Sequence, residues 1–91
     1  MALADDLITE FRTELADRGF VEFNATNELL SPDRTLVVTT THAYKEWTVA
    51  VKPAAGSTDE RQDLVRVRLN QDGYEMANRE KLDQVRVELG Y

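Results

Sequence analysis

Along residues 2–18, Leu3, Leu7, Ile8, Phe11 and Leu15 recur at spacings of three and four. That spacing predicts an amphipathic helix with a single apolar stripe. Asp5, Asp6, Glu10, Glu14 and Asp17 fall on its wet side, and Gly19 supplies a stop because it enters the left-handed conformation without a Cβ penalty. Beyond it the period shortens toward two. Residues 20–23 predict a short strand, and residues 24–33 a polar loop that ends in the turn signal Ser31-Pro32-Asp33. Residues 35–41, rich in Thr and Val, predict a strand. His42-Ala43-Tyr44-Lys45 then connects to a strand over residues 46–52, where Trp47, Val49 and Val51 alternate with Thr48 and Ala50, so that one face is buried. Residues 53–62 predict a second loop, the most mobile part of the chain.

The last third holds two matching segments. Asp63-Leu64-Val65-Arg66-Val67-Arg68-Leu69 is followed by Asp83-Gln84-Val85-Arg86-Val87-Glu88-Leu89, with Val, Val and Leu on one side of each and charge on the other. Alternation of that kind predicts two strands. Between them, Asp72 and Glu75 have the spacing of a capping box, with Tyr74, Ala77 and Lys81 or Leu82 on the inner face of a short helix. The expected order is α-β-β-β-β-α-β. This is an α+β domain in which the N-terminal helix packs on a mostly antiparallel sheet of four or five strands, with a short second helix before the last strand. Residues 70–82 are just long enough for a parallel crossover, so the direction of that last strand stays open.

At 91 residues the chain is expected to be one domain, residues 1–91, with a core of one sheet and one or two helices. The absence of cysteine removes disulfides, thiolate nucleophiles and cysteine-based zinc sites. No apolar run is long enough to span a bilayer. The opening residues are acidic and lack the basic start and apolar run of a secretion signal, so an intracellular location is expected, or a place in a particle assembled inside a cell. Asn24-Ala25-Thr26 then matches a glycosylation sequon by chance. The net charge of −6 argues against nucleic acid as a partner, because phosphates demand a basic face. Eight Arg against three Lys, with seventeen acids and nine Thr, resembles proteins of high-salt cytoplasms; a GC-rich genome explains the same bias.

Candidate chemistry is thin. His42 is the only histidine and sits in a Thr-rich turn, and Ser31 and Ser57 lie in loops without a nucleophile-elbow pattern. The acidic pairs Asp5-Asp6 and Asp59-Glu60, and Asp33 near Glu28, read as solvated surface. Asn70-Gln71-Asp72-Gly73 lacks the spaced oxygens of a calcium loop. The four glycines (19, 56, 73 and 90) form no phosphate-cradling run. No catalytic, cofactor-binding or metal-binding residue is predicted. Arg66, Arg68 and Arg86 would project from neighbouring strands as a small basic stripe. It could contact nucleic acid, pair across strands (Arg68 with Glu88), or hold an acid of another subunit; the negative net charge favours the last two. Tyr44 and Tyr91 join these arginines as interface candidates, Tyr91 docking into a neighbour or fraying, while Trp47 is assigned to the core.

With these residues placed, the chain resembles the tail-completion, or tail-terminator, proteins of tailed viruses, including those described as minor capsid proteins. Leu3-Ala4-Asp5-Asp6-Leu7 and Gly19-Phe20 are similar to the family's opening helix and its stop. Ser31-Pro32-Asp33 before Leu36-Val37-Val38 resembles its turn into an apolar strand. Val65-Arg66-Val67-Arg68 and Asp72-Gly73-Tyr74-Glu75-Met76-Ala77 resemble its later strand and helix. The similarity covers about half the chain, which is shorter than is usual for the family and lacks further strands often present at the end. It implies a subunit of a ring or shell, a homo-oligomer or part of a larger assembly, that binds protein edges without a cofactor or catalysis. The alternative expectation is an acidic regulator that mimics nucleic-acid phosphates, with Asp6, Glu10, Glu14 and Asp17 aligned on one exposed face of the first helix.

Overall fold

The apolar stripe of the first helix has to be covered, and it is covered by a sheet. The computed structural model describes residues 3–54 and 63–91. In chain order it contains α1 (Ala4–Asp17), β1 (Val21–Glu22), β2 (Glu28–Leu30), β3 (Leu36–Ala43), β4 (Glu46–Pro53), β5 (Val65–Asn70) and α2 (Glu75–Leu89). The strands form a five-stranded sheet in sequential order, antiparallel throughout. The fold is α+β, as expected.

Strict alternation along each strand sends Leu29, Val38, Val49, Val51, Val67 and Leu69 to one face, where they share a single core with Leu7, Ile8, Phe11 and Leu15 of α1 and Leu82 and Val85 of α2. Both helices therefore lie on that face. Thr39, Thr41, Thr48, Lys52, Arg66 and Arg68 occupy the intervening positions and point to the other side. Glu10 faces Arg79 and Glu14 faces Arg86, so the two helices run parallel and start at the same end of the molecule.

Both helices also stop in the same way. After α1, Gly19 at φ +95° donates to Ala16 O and Phe20 N donates to Leu15 O. After α2, Gly90 at φ +94° donates to Val87 O and Tyr91 N to Arg86 O. This paired-bond stop turns the residue after each glycine back over its helix. Phe20 thus enters the core, and Tyr91 is laid beside α1.

Several expectations are corrected. Residues 24–33 are not all loop, because Glu28–Leu30 forms β2. Its three residues are too few to show a period, and the pairing of Leu29 with Val38 creates it. Second, β3 runs on through His42 and Ala43, leaving a two-residue turn of Tyr44 and Lys45 whose Lys45 has φ 56°. Third, residues 83–89 are not a strand. They continue α2, so the order ends in a helix and the sheet finishes at β5. Asn78, Leu82 and Val85 are buried and Leu89 packs on the core, a spacing of four, three and four. Val87, which an alternating strand would bury with Val85, is 74% exposed. The helix also starts later than a capping box would place it. Tyr74 precedes Glu75 with no side-chain cap, and the Asp72 N–H is taken by Asn70 Oδ1 at 2.8 Å. Tyr74 and Ala77 are exposed, and Asn78 holds the inner position instead, donating to Asn70 O. The expected loop at 53–62 falls, after Ala54, outside the described residues.

Candidate protein interface

The five residues expected to meet other subunits separate into three places. Arg86 and Tyr91 form a clamp between the helices. Arg86 Nε donates to Glu14 Oε2 at 2.8 Å and its Nη1 to Asp83 Oδ1 at 2.7 Å. The Tyr91 hydroxyl donates to the same Glu14 oxygen at 2.7 Å, and the Arg18 guanidinium lies over the Tyr91 ring at 3.4 Å. Burial pushes the Tyr91 hydroxyl up to about 12, reinforced by its bond to the Glu14 carboxylate. At Glu14, burial works in the same upward direction, yet the bonds from Arg86 and Tyr91 outweigh it and hold the carboxyl below its usual value. Arg86 and Tyr91 are therefore committed within the chain. The basic stripe of three arginines does not form, because Arg86 belongs to a helix and not to a strand beside β5.

Arg66 and Arg68 do project together from the outer face of β5, both well exposed. Arg68 Nε lies 3.4 Å from Glu46 Oε1 on β4, and Arg66 lies 3.9 Å from Asp63. The expected pairing of Arg68 with Glu88 is replaced by that with Glu46, since the strand that would have carried Glu88 is helical. Exposed pairs like these contribute ~0–1 kcal/mol and exchange partners readily. Lys81 and Gln84 of α2 complete an open depression along β5 with these arginines.

Tyr44 marks the third place, the end where both helices begin. Asp5 of α1 accepts hydrogen bonds there from Trp47 Nε1 and, at 3.0 Å, from Gln71 Nε2. The Trp47 bond, then that from Gln71, holds the Asp5 carboxyl below its usual value. Gln71 N donates to Lys45 O, and Lys45 lies 3.8 Å from Asp72, which ties the β3–β4 turn to the loop before α2. Trp47 is thus half-buried at the margin of the core and not sealed within it. His42, in β3 and not in a turn, is exposed and stacks on Trp47 with ring centroids 4.6 Å apart. Around this pinned framework Leu3, Tyr44, Tyr74 and Met76 are 55%, 88%, 84% and 74% exposed. Sequence patterning had turned Leu3 and Tyr74 inward and passed over Met76. For Tyr44 the signal was its place in the predicted connection between two strands; for the others the sequence offered none.

Asp33, like Asp5 and Glu14, is held more acidic than usual, chiefly by the Ser31 hydroxyl and then by Thr35. Ser31 Oγ donates to Asp33 at 2.6 Å and accepts from the N–H groups of Thr35 and Leu36, so this serine organises its turn. Ser57 lies outside the described residues. Among the described residues, no group of three or more His, Asp or Glu is placed to hold a metal ion, and no helix is long and apolar enough to cross a membrane. On the wet side of α1, Asp6 and Asp17 are exposed, but Glu14 is held by the clamp and Glu10 lies 3.7 Å from Arg79. The chain matches no family model, no curated protein and no solved structure.

Proposed function

We propose that this protein is a non-catalytic structural or assembly subunit that works through contacts with other protein subunits, as a homo-oligomer or within a larger assembly. The similarity of its helix, turn and strand motifs to tail-completion proteins supports a place in a virion, at the head–tail neck, the tail end or the capsid, and so in a virion or the host cytoplasm. Nucleic acid is not its partner on this reading, and it needs no cofactor. One observation carries the reading. Leu3, Tyr44, Tyr74 and Met76 stand exposed at a single end whose backbone is held rigid by the bonds through Asp5, Gln71 and Lys45. Exposed aromatic and methionine side chains on a rigid frame have the make-up of interface anchors. The phosphate-mimic alternative fits less well, because Glu10 and Glu14 face arginines of the same chain.

Light scattering after size-exclusion chromatography, in low and high salt, tests the proposal, together with affinity capture from cells expressing the neighbouring genes. Association is expected in the wild type and is lost in a Tyr44→Ser/Tyr74→Ser variant that keeps its circular dichroism. A strict monomer at every salt, capturing no structural protein, refutes it.

A further inference from the structure

The last strand of the sheet has an edge that nothing in the described fold covers with backbone. In an antiparallel ladder, alternate residues turn both N–H and C=O toward one side. The Arg68 carbonyl accepts from Lys81 Nζ at 2.8 Å, and that of Asn70 from Gly73 N and Asn78 Nδ2. These partners lie away from β4, whereas Gln71 N reaches inward to Lys45 O. The outward set of β5 is therefore Arg66, Arg68 and Asn70. Among the described residues, the Arg66 N–H and C=O and the Arg68 N–H have no backbone partner. They are the donor, acceptor and donor that a further strand would need. Cations flank them on both sides, the Arg66 and Arg68 side chains on the outer face and Lys81 on the helix side. On a molecule of charge −6 this is a local reversal of sign.

We infer that the β5 edge accepts an extended acidic segment of a partner protein as a sixth strand. The segment's acids, at alternate positions, face Arg66 and Arg68, and its intervening apolar residues lie beside Val67 and Gln84. Lys81, bound to the Arg68 carbonyl, adds positive charge on the helix side that draws an acidic segment in, and as a lysine on an edge it guards against indiscriminate pairing. A second copy is a poor occupant. Two β5 strands paired edge to edge would set Arg66 and Arg68 of each against those of the other, and like charges across strands repel. The inference rests on the assembly reading above and names one of its contacts.

The test measures fluorescence anisotropy of a labelled, capped heptapeptide Thr-Glu-Val-Glu-Val-Glu-Thr titrated with the full chain, beside the same peptide with Lys for Glu and a single-stranded DNA oligonucleotide. The acidic peptide is expected to bind, more weakly as salt rises, and the other two not to. Arg68→Pro removes an outward N–H and, with it, one of the two facing guanidinium groups, while the β4–β5 ladder keeps its bonds, so affinity falls by roughly tenfold or more. Lys81→Glu reverses the charge on the helix side, at the loss of one bond to the Arg68 carbonyl but with the strand's own residues unchanged, and lowers affinity likewise, which keeps the test decisive if Arg68→Pro unfolds. No binding of the acidic peptide, equal binding of the lysine peptide, or tighter binding of the oligonucleotide overturns the inference. Association with native partners that survives both variants but is lost in Tyr44→Ser/Tyr74→Ser overturns it alone and leaves the assembly reading standing.

Discussion

Glu14 shows how one side chain can be spent inside a fold. It accepts from Arg86 on the other helix and from Tyr91 after that helix ends. Its carboxyl is depressed below the ordinary 4.5, so the stabilisation is present above that value and is lost as pH falls through the lower folded one. Tyr91 has the opposite sense. Its hydroxyl is raised from 10.0 to about 12, so its share is intact below pH 10 and is lost as pH rises through 12. Chemical denaturation across pH should therefore show an acid limb that flattens in Glu14→Gln. In a Tyr44→Phe/Tyr74→Phe background, the tyrosinate absorbance of Tyr91 should appear only near pH 12. Titration of Tyr91 at pH 10 would show the clamp to be open. Thr40 is the converse case. It is 2% exposed among apolar neighbours, and among the described residues its hydroxyl has no partner. Leaving a buried hydroxyl unpaired costs ~1–3 kcal/mol. Thr40→Val should raise unfolding stability by about 1 kcal/mol in urea titration; a loss of stability would mean that the hydroxyl is satisfied in solution.

At the scale of the element, residues 83–89 carry a pattern that two structures can use. Val85, Val87 and Leu89 alternate as a strand would, while Asn78, Leu82, Val85 and Leu89 repeat as a helix does. The helix prevails because the core face of β4 and β5 needs a cover, and one continuous α2 supplies Leu82 and Val85 to it. Substitution separates the two outcomes. Val85→Lys buries a charge and should unfold the domain, whereas Val87→Lys sits in solvent and should change stability by less than about 0.5 kcal/mol. Equal damage from both, in thermal melts followed by circular dichroism, would favour the strand. The first helix was legible because Leu7, Ile8, Phe11 and Leu15 fit one period only and Gly19 marks its end. The short β2 was not, since its pairing with β3 is a long-range fact.

For the molecule as a whole, charge governs the response to salt. The ion pairs among the described residues are mostly exposed and worth little, while a net charge of −6 on 91 residues works against compactness over longer distances. Added salt screens both, and the unfavourable net repulsion is the larger quantity. The melting temperature should therefore rise between low and high salt; a fall would show that the surface pairs dominate. The same scale decides what the candidate site consists of. Arg66, Arg68 and Tyr44 were legible as surface residues from their places in strand and turn. Arg86 and Tyr91 were misread because their partner, Glu14, is more than seventy positions away in the chain. The amino-acid sequence alone determined the α+β class, the apolar stripe of α1, the central strands and the lack of any thiol, since these follow from periodicity and composition within short windows. Tertiary structure alone decided the helical fate of residues 83–89, the capture of Arg86 and Tyr91 by Glu14, the gathering of Leu3, Tyr44, Tyr74 and Met76 at one end, and the edge of β5 that has no backbone partner among the described residues. Each of these depends on which distant surface a segment must cover, and that free energy is set by packing between elements and not by any one of them.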